Sequence, residues 1–461
     1  MPQDHFDALV IGSGQGGNPL AEALAGAGRK TAVIERKHIG GTCVSEGCTP
    51  TKTMVASARV AYLARRGSDY GVNASALKID MPTIRQRKRD IVNQFRTANE
   101  KGLASTANLE VICGDASFVA EKTVEVALRD GGKRTVTGNQ IFINTGTRAT
   151  TPKIKGLESV AFLDNMSIME LDNVPEHLII VGGGYIGLEF AQMFRRFGSE
   201  VSIVLRGRQL LDREDADIAN EIESIFAEDG ITVHLNAMAR SVSKAGNDIS
   251  LTFAAADVVK TVKGSHLLIA AGRKPNTDTL NPGAAKIETD ERGFIRANDR
   301  LETSAAGVFV IGDVKGGPAF THISYDDFRI LKGNLLDGRE MSTANRMVPY
   351  TVFIDPQLGR IGLTEHEARE QGRKIKIARM PMSHVARALE MAESRGVMKV
   401  VVDAESGQIL GAAILGIEGG EIASMLQIAM MGKLSYSALR DGTFSHPTLS
   451  EALNNVFKKL E

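Results

Sequence analysis

The sequence has no tryptophan, only three cysteines in 461 residues, and no excess of charge of either sign. Lysine plus arginine and aspartate plus glutamate each number 55, so bulk charge does not favour nucleic acid or an anionic membrane surface as a partner. No apolar run reaches the roughly 18 residues that a membrane-spanning helix needs. Three cysteines are also too few for the disulfide framework of a secreted protein. We therefore expect a soluble, cytoplasmic protein that binds neither nucleic acid nor membrane.

Glycine, by contrast, is abundant, and its 47 residues suit an α/β protein with many tight strand-to-helix turns. The first glycine-rich turn follows a predicted buried strand over residues 6–11 and precedes a predicted helix over 18–28. A second strand over 31–34 ends at Glu35, whose carboxylate would bind a ribose hydroxyl. The spacing of the turn is that of a dinucleotide-binding fingerprint, formed by Gly12, Gly14 and Gly17. A lone glycine fingerprint is weak evidence, but the surrounding strands, helix and acid make the prediction specific.

An internal repeat of this unit follows later in the chain. Its fingerprint and first helical residues are Gly182, Gly184, Tyr185, Ile186 and Gly187. After the next predicted strand, 201–204, Leu205 occupies the position at which the first copy has its acid. Arg206 and Arg208 come next, and arginine is the residue that accommodates a 2′-phosphate there. The repeat predicts a second nucleotide site that prefers NADPH to NADH, unless both arginines are solvated loop charges.

Cys43 and Cys48 lie between the two fingerprints in chain order. A structural zinc ion needs about four Cys or His ligands, and the chain has one further cysteine, so zinc is disfavoured. Residues five apart on a regular helix point about 140° apart, so a disulfide between them requires a distorted turn. Gly47 and Pro50 permit such a turn ahead of a predicted helix over 51–66, whose start would lower the pKa of a nearby thiol. The pair predicts a redox-active disulfide, with inert thiols as the alternative.

Two strand endings and one change of pattern indicate the domain boundaries. The predicted strands 141–145 and 267–271 are followed by Gly146 and Gly272, as expected of strands that leave a nucleotide-binding domain. From residue 346 onward, strands alternate with amphipathic helices and no fingerprint occurs. We predict an α/β protein with two Rossmann-like dinucleotide-binding domains and a C-terminal α+β domain. Their predicted ranges are 1–150 with 276–345, 151–275, and 346–461.

Between residues 109 and 145, short strands are expected to alternate with turns at Gly114, Gly138 and the Gly131–Gly132 pair. Further along, an apolar strand over 307–311 runs into Asp313. An acid at the carboxyl end of a strand lies beside the ligand crevice of an open sheet, so Asp313 is a candidate ligand-binding residue. Simple turn formation by the Gly-Asp pair is the alternative.

The dipeptide His446-Pro447 precedes the last predicted helix. Pro447 at the first helical turn would leave His446 projecting from the helix, with Glu451 in reach of a ring nitrogen. This is the arrangement of a general base that is held by a carboxylate. An ordinary helix start is the alternative.

Taken in this order, the motifs resemble those of the pyridine nucleotide-disulfide oxidoreductases over nearly the whole chain. The resemblance implies an FAD-dependent enzyme that uses a nicotinamide nucleotide, and a homodimer with active sites shared between subunits. The positions that it implies for FAD contacts are Gly12, Gly14, Gly17, Glu35, Gly41, Thr42, Lys52, Gly114, Ala116, Thr145, Gly146, Asp313 and Thr321. Those implied for the nicotinamide nucleotide are Gly182, Gly184, Tyr185, Ile186, Gly187, Glu189, Arg206, Arg208 and Gly272.

The resemblance also implies roles for the reactive side chains. Cys48 would be the charge-transfer thiol beside the flavin, and Cys43 the interchange thiol that faces the acceptor. Lys52 would pair with Glu189 near the flavin N5, and Tyr185 would be a movable side chain over the flavin face. The last two catalytic residues, His446 and Glu451, would complete the active site of the partner subunit. No metal cofactor is implied.

Departures from the family pattern leave the electron acceptor open among a small disulfide, a metal ion and a reactive oxidant. Glu46, between the cysteines, would raise the thiol pKa values if uncompensated, or else point away. The chain ends without the cysteine pair of mercuric reductases, so mercury turnover is disfavoured. Leu205 disfavours NAD-dependent dihydrolipoamide dehydrogenase, which remains the enzymatic alternative; a flavin-binding redox sensor is the non-enzymatic one. Segments 320–329 and 446–457 are similar to bacterial flavoproteins of reactive-chlorine resistance, which are associated with metal-ion reduction.

Overall fold

The computed structural model describes residues 4–73, 76–246, 248–255 and 258–460. The chain divides into two compact units. The first consists of Met1–Met54, Thr83–Thr150 and Gly272–Arg346, and the second of Val55–Pro82, Thr151–Ala271 and Met347–Glu461. The division into three functional domains stays a prediction.

The helices are, in chain order, α1 (Gly17–Gly26), α2 (Gly41–Ser45), α3 (Cys48–Arg65), α4 (Met81–Ser105), α5 (Tyr185–Phe197), α6 (Ala216–Glu228), α7 (Thr321–Leu335), α8 (Glu365–Glu370), α9 (Ala386–Glu390), α10 (Gly419–Met431), α11 (Tyr436–Arg440) and α12 (Ala452–Lys458). Among the described residues, no helix is both long and apolar enough to cross a membrane.

The strands are β1 (Asp4–Ile11), β2 (Thr31–Glu35), β3 (Leu109–Ala120), β4 (Thr123–Leu128), β5 (Lys133–Ile143), β6 (Thr147–Ala149), β7 (His177–Val181), β8 (Glu200–Val204), β9 (Ile231–His234), β10 (Ala237–Ala245), β11 (Asp248–Ala255), β12 (Val258–Gly264), β13 (His266–Ile269), β14 (Arg273–Pro275), β15 (Val308–Val310), β16 (Tyr350–Val352), β17 (Gln357–Gly362), β18 (Ile375–Pro381), β19 (Val397–Asp403) and β20 (Ile409–Gly416).

The first unit is built on a parallel sheet with the order β3-β2-β1-β5-β15. Successive side chains of β1 point to opposite faces of the sheet, because side chains alternate along a strand. Leu9 and Ile11 join one buried apolar cluster, and Ala8 and Val10 join the other. Both faces of the sheet are therefore covered, as in the predicted α/β class.

Gly114 and Gly138 lie inside strands, so the turns predicted at these positions are wrong. The second half of β3 and the first half of β5 extend beyond the parallel sheet and pair with the antiparallel strand β4. A Cβ on Gly138 would lie 2.8 Å from Leu9 Cγ, and one on Gly114 would lie 2.5 Å from the Ala127 carbonyl oxygen. Glycine here allows close approach between strands and does not break them. The described chain does bend at Gly131 and Gly132, as predicted.

The second unit contains three sheets. Strands β13-β7-β8-β9 are parallel, and each of the three pairings is in register along the strands. An antiparallel sheet, β10-β11-β12, and a five-stranded antiparallel sheet, β16-β17-β20-β19-β18, make up the rest. The five-stranded sheet packs with α10 and α12 in one buried cluster. This composition agrees with the predicted second nucleotide-binding fold followed by an α+β segment.

The last helix begins later than the sequence predicts. Pro447 lies in a bend, and α12 starts at Ala452 with Glu451 as its N-cap. The Thr448 hydroxyl accepts a hydrogen bond from Glu451 N at 3.2 Å, which closes a turn ahead of the helix. Because the Thr448 hydroxyl takes the Glu451 amide, the backbone around residues 447–451 forms a turn and not the first turn of a helix. The predicted placement of Pro447 in the first helical turn was therefore wrong.

Candidate functional site

The glycine turn after β1 leaves no room for side chains at two of its positions. Gly12 has φ +103°, and a Cβ on it would lie 2.4 Å from the carbonyl oxygen of Asn144. A Cβ on Gly17 would lie 2.2 Å from the Gly12 carbonyl oxygen. The turn is thus packed backbone against backbone, which is how a glycine fingerprint brings amide groups to a phosphate.

The Asn144 side chain packs against this turn and hydrogen-bonds to it. The sequence did not identify Asn144 as a site residue. Its side-chain Oδ1 accepts a hydrogen bond from Gly17 N at 3.0 Å, and its Nδ2 donates to Ile311 O at 3.0 Å. A Cβ on Gly14 would lie 2.7 Å from Asn144 Oδ1. The one sequence feature that could have indicated this role is the position of Asn144, which directly follows β5, the strand that pairs with β1.

Glu35 is buried at the end of β2, beside the glycine turn. Its Oε2 accepts hydrogen bonds from Ser13 N at 2.9 Å and Ser13 Oγ at 2.7 Å, and its Oε1 accepts from Lys37 N at 2.8 Å. The carboxylate is therefore fixed at the strand end where the sequence predicts contact with a ribose.

Further residues predicted to contact FAD in this unit lie on the loops that follow β5 and β15. Asp313, after β15, accepts a hydrogen bond from Thr147 Oγ1 at 3.0 Å. The Thr145 hydroxyl is buried and has no hydrogen-bond partner among the described residues, whereas its carbonyl oxygen accepts from Asn276. Gly146 has a positive φ, and a Cβ on it would meet no atom of the described residues within 4 Å; the same holds for Gly272, which is predicted to contact the nicotinamide nucleotide. A buried hydroxyl without a partner and a backbone-lined turn fit a bound dinucleotide such as FAD.

Ala116 and Gly114 lie on β3 and are buried. Gly114 opposes Leu128 of β4, so the strand pairing alone already requires glycine there. Contact of these two residues with a cofactor stays a prediction.

The two cysteines lie on either side of a break between helices. α2 ends at Ser45, and α3 begins at Cys48. A Cβ on Gly47 would lie 2.9 Å from the Thr42 carbonyl oxygen, so the chain can turn this tightly only with glycine at that position. The break brings the Cys43 and Cys48 thiols within hydrogen-bonding distance, and no disulfide joins them. The distorted turn that a redox pair requires is present.

The Cys43 thiol holds its proton strongly. Its hydrogen bond to Cys48, its burial and the charge of Cys48 raise the pKa of Cys43, against smaller opposing effects of Thr321 and Lys52. Thr321 Oγ1 also lies 3.3 Å from Cys48 Sγ. Cys43 therefore gives up its proton less readily than an ordinary cysteine. The lowering that the sequence predicts concerns a thiol at the start of α3, where Cys48 lies, and it stays a prediction; Cys43 lies on α2 and is partly buried.

The two unusual residues between the cysteines are held by cations. The Glu46 carboxylate lies 3.7 Å from Lys37 Nζ, and Ser45 Oγ accepts from the Arg96 guanidinium at 3.4 Å. Glu46 is not among the main influences on the pKa of Cys43. The sequence predicts that Glu46 either raises the thiol pKa values as an uncompensated charge or points away; instead, the carboxylate faces the Lys37 cation, which compensates its charge.

The thiol-bearing segment packs directly on the glycine turn. Gly41, at the start of α2, has φ +62°, and a Cβ on it would lie 2.8 Å from Gly14 Cα. Thr42, its neighbour, is partly buried. The first glycine turn and the dithiol therefore form one continuous candidate site within the first unit.

The second glycine turn, in the second unit, repeats the geometry of the first. Gly182 has φ +125°, and a Cβ on it would lie 2.3 Å from the Ala270 carbonyl oxygen. A Cβ on Gly187 would lie 2.6 Å from the Gly182 carbonyl oxygen, whereas a Cβ on Gly184 would meet nothing within 4 Å. Tyr185 and Ile186, the first residues of α5, are partly buried.

The strand end next to this turn has no acid. Leu205, after β8, is buried, and Arg206 and Arg208 are both exposed on the loop that follows. Two cations at this position fit a 2′-phosphate, and their contact with a nucleotide stays a prediction.

Glu189 lies on the second turn of α5 and is buried. Its Oε1 accepts a hydrogen bond from Phe353 N at 2.9 Å. Lys52 belongs to the first unit and Glu189 to the second, so the pairing of the two stays a prediction.

His446 and Glu451 are brought together as the sequence predicts. Glu451 Oε2 and Oε1 lie 2.8 Å and 3.1 Å from His446 Nδ1. The imidazole is 66% exposed, which leaves its Nε2 edge accessible. The carboxylate therefore orients an exposed ring, although α12 begins only after Glu451.

Comparisons with known proteins agree with this geometry. The family Pyridine nucleotide-disulphide oxidoreductase matches residues 6–327, and the dimerisation domain of the same family matches residues 348–457. The "Probable pyridine nucleotide-disulfide oxidoreductase RclA" of Escherichia coli (strain K12) is 39% identical, covering 98% of each chain. A mercuric reductase of Streptomyces lividans is 35% identical, covering 98% of this chain and 96% of its own.

A solved structure gives the same result for the fold. The Cu(II) complex of the HOCl-induced flavoprotein disulfide reductase RclA from Escherichia coli superposes with a TM-score of 0.90, at 38% identity and 99% coverage of each chain. The predicted fold class is confirmed, and the dimerisation domain supports a homodimer. The chain belongs to the pyridine nucleotide-disulphide oxidoreductases, and it is an oxidoreductase whose family implies FAD and a nicotinamide nucleotide.

Proposed function

We propose that this protein is a cytoplasmic, NADPH-dependent, FAD-containing reductase that passes electron pairs through Cys43 and Cys48 to Cu(II). The observation that carries the proposal is the dithiol itself, in which Cys43 contacts Cys48 at a glycine-supported helix break. Such a pair can close to a disulfide and reopen without moving the backbone far.

FAD would be held by the first glycine turn, by Glu35 and Asp313, and by the buried Thr145 hydroxyl. When bound, it takes a hydride from the nicotinamide nucleotide and supplies an electron pair to a disulfide. Thr321 lies against Cys48 and donates or accepts a hydrogen bond there, so it helps to hold this sulfur in place. His446, held by Glu451, would accept one of the protons that the dithiol releases as it closes, in a site completed by two subunits.

The chemistry of the dithiol favours a thiophilic metal ion as the acceptor. Thiolates are soft ligands and bind copper well. When the dithiol closes to a disulfide it releases two electrons and two protons, and two Cu(II) ions take one electron each to become two Cu(I). NADPH, which supplies a hydride, and one proton from solvent restore the dithiol, and NADPH becomes NADP⁺. The E. coli relative, solved as a Cu(II) complex, supports this choice.

NADPH is proposed over NADH because Leu205 replaces the ribose-binding acid and two arginines follow it. The same substitution argues against the role of an NAD-dependent dihydrolipoamide dehydrogenase. A passive flavin-binding redox sensor would have no use for an oriented His446.

The test is NADPH oxidation by the purified FAD-loaded protein with Cu(II), glutathione disulfide, lipoamide or hypochlorite-treated thiols as acceptors. We expect multiple turnovers with Cu(II), and a loss of at least about 100-fold in kcat in Cys48→Ser with the flavin still bound. Cys113→Ser, which changes the cysteine away from the pair, is the matched control and should retain full activity. Turnover with glutathione disulfide alone would replace Cu(II) as the acceptor, and an active Cys48→Ser variant would refute the dithiol mechanism.

A further inference from the structure

We propose that Asp355 is a positioning residue for electron transfer, because it joins the helix that begins with Cys48 to the helix that begins with Tyr185. This inference rests on the proposed function, since it gives the two helices their redox roles. It adds a residue that lies well away from both glycine turns in the sequence.

The Asp355 carboxylate is shared by two arginines from different helices. Its Oδ2 accepts hydrogen bonds from Arg59 of α3 and from Arg196 of α5. The Asp355 side chain is 15% exposed and that of Arg196 is 6% exposed. Burial tends to raise the pKa of Asp355, but the charges of Arg196 and Arg59 outweigh this and hold its pKa below the ordinary value. The carboxylate is therefore an ionised link between α3 and α5.

The backbone of the same segment holds α5 at further points. Asp355 N donates to Gln192 Oε1 at 2.7 Å, and Gln192 Nε2 donates to Asp355 O at 2.7 Å. Two residues earlier, Phe353 N donates to Glu189 Oε1 at 2.9 Å. Glu189, Gln192 and Arg196 are three or four residues apart and therefore lie on one face of α5. The segment 353–355 holds this face through all three side chains.

The α3 side of the link is equally well held. Arg59 donates also to Glu393 at 2.9 Å, and the Glu393 side chain is 5% exposed. Tyr62 lies about one helical turn after Arg59, and the Arg196 guanidinium lies 3.9 Å from the centre of its ring. Cation–π contact and shared carboxylates thus fix α3 against the same segment.

These contacts matter because both helices carry predicted redox residues in their first two turns. α3 starts with Cys48 and continues through Lys52, and α5 starts with Tyr185 and continues through Glu189. Helices are stiff, so a link at residues 189–196 of α5 sets the direction of the first turn of that helix, which begins with Tyr185. A misplacement of about 1 Å at a reacting group can lower a rate by about 100-fold.

The test compares Asp355→Asn with Asp69→Asn in the FAD-loaded, full-length protein. Asn keeps the size of the side chain and the backbone contacts, but it cannot pair with two arginines. We expect the limiting rate of flavin reduction by NADPH in stopped-flow to fall about tenfold, with less than a twofold change in the Kd for NADPH. Asp69 pairs with Arg66 on the exposed surface after α3, and its variant should stay within twofold of the wild type in both.

A second variant covers the case in which Asp355→Asn does not fold. Arg59→Lys keeps the charge but cannot bridge two carboxylates, and we expect a several-fold fall in the same rate constant. If both folded variants lower the melting temperature while the limiting rate is unchanged, Asp355 is merely structural and the inference fails. If wild-type flavin is not reduced by NADPH at all, the proposed function fails instead.

Discussion

The two glycine turns share their backbone geometry but differ in what covers them. In each, the first glycine packs against a carbonyl oxygen of the neighbouring strand end, and the last packs against the first. The middle glycine is different. Gly14 is covered by the Asn144 side chain and by Gly41, whereas a Cβ on Gly184 would meet no atom of the described residues within 4 Å. A covered turn suits a cofactor that stays bound, and an open one suits a substrate that must leave.

The strand ends beside the two turns also differ: the first is buried and fixed by hydrogen bonds, and the second carries exposed cations. Glu35 is buried and takes three hydrogen bonds from Ser13 and Lys37. At the equivalent place the second unit has buried Leu205 and exposed arginines. A fixed acid makes a permanent contact, while solvated cations attract an anionic ligand without a preformed fit.

The largest expected effect comes from two glycine-to-alanine substitutions. One is at Gly41, which packs on the first glycine turn, and the other is at Gly184, within the second. In Gly41→Ala, the left-handed φ and the 2.8 Å approach to Gly14 Cα should destabilise the protein by about 2 kcal/mol or more and release the flavin. In Gly184→Ala the new methyl group enters open space, so stability and flavin content should stay near wild type while the KM for NADPH rises. Melting temperature, the flavin-to-protein absorbance ratio and steady-state kinetics check this. Equal flavin loss in both variants would remove the distinction between covered and open turns.

Removal of the two cations should change coenzyme preference. The double variant Arg206→Ala/Arg208→Ala should lower kcat/KM for NADPH by about 10- to 100-fold, because charge-assisted contacts to the 2′-phosphate are lost. With NADH the change should be less than threefold, and flavin content should not change. A wild-type preference for NADH, or equal losses with both coenzymes, would contradict the assignment of these arginines.

The smallest expected effect concerns the dithiol that covers the first turn. The pKa of Cys43 is raised in the folded, reduced protein, so the folded state keeps a proton that the unfolded chain releases above about pH 9. The resulting stability is complete below that pH and is lost as the pH rises, by at most about 1.4 kcal/mol per pH unit. We expect urea unfolding under reducing conditions to show a steeper decline from pH 8 to 10.5 in wild type than in Cys43→Ala. Parallel declines would show that Cys43 is not the protonated thiol.

Much of the candidate site follows from the sequence because its requirements are local. Gly12 and Gly17 are needed wherever a strand turns sharply into a helix, and Glu35 ends the next strand at a fixed distance along the chain. The cysteine spacing requires a break in the helix, and Gly47 permits one. His446 and Glu451 are only five residues apart, so their contact was also within reach of sequence reasoning.

The remaining features depend on segments far apart in the chain. Gly114 and Gly138 resemble turn residues in sequence, and only the strands packed beside them show that they lie within β3 and β5. Asn144 gave no chemical signal, because its amide matters only when the first glycine turn lies above it. Asp355 meets Arg59 and Arg196 across hundreds of residues, a pairing that a single sequence does not encode locally.

The sequence by itself determined the two nucleotide fingerprints, the dithiol and the class of chemistry, since each depends on backbone freedom or residue spacing within one short segment. The tertiary structure decided which fingerprint is covered and which is open, why the pKa of Cys43 is raised, and how the charge of Glu46 is compensated. These properties arise from burial and from charges contributed by distant segments, and both come into being only when the chain packs.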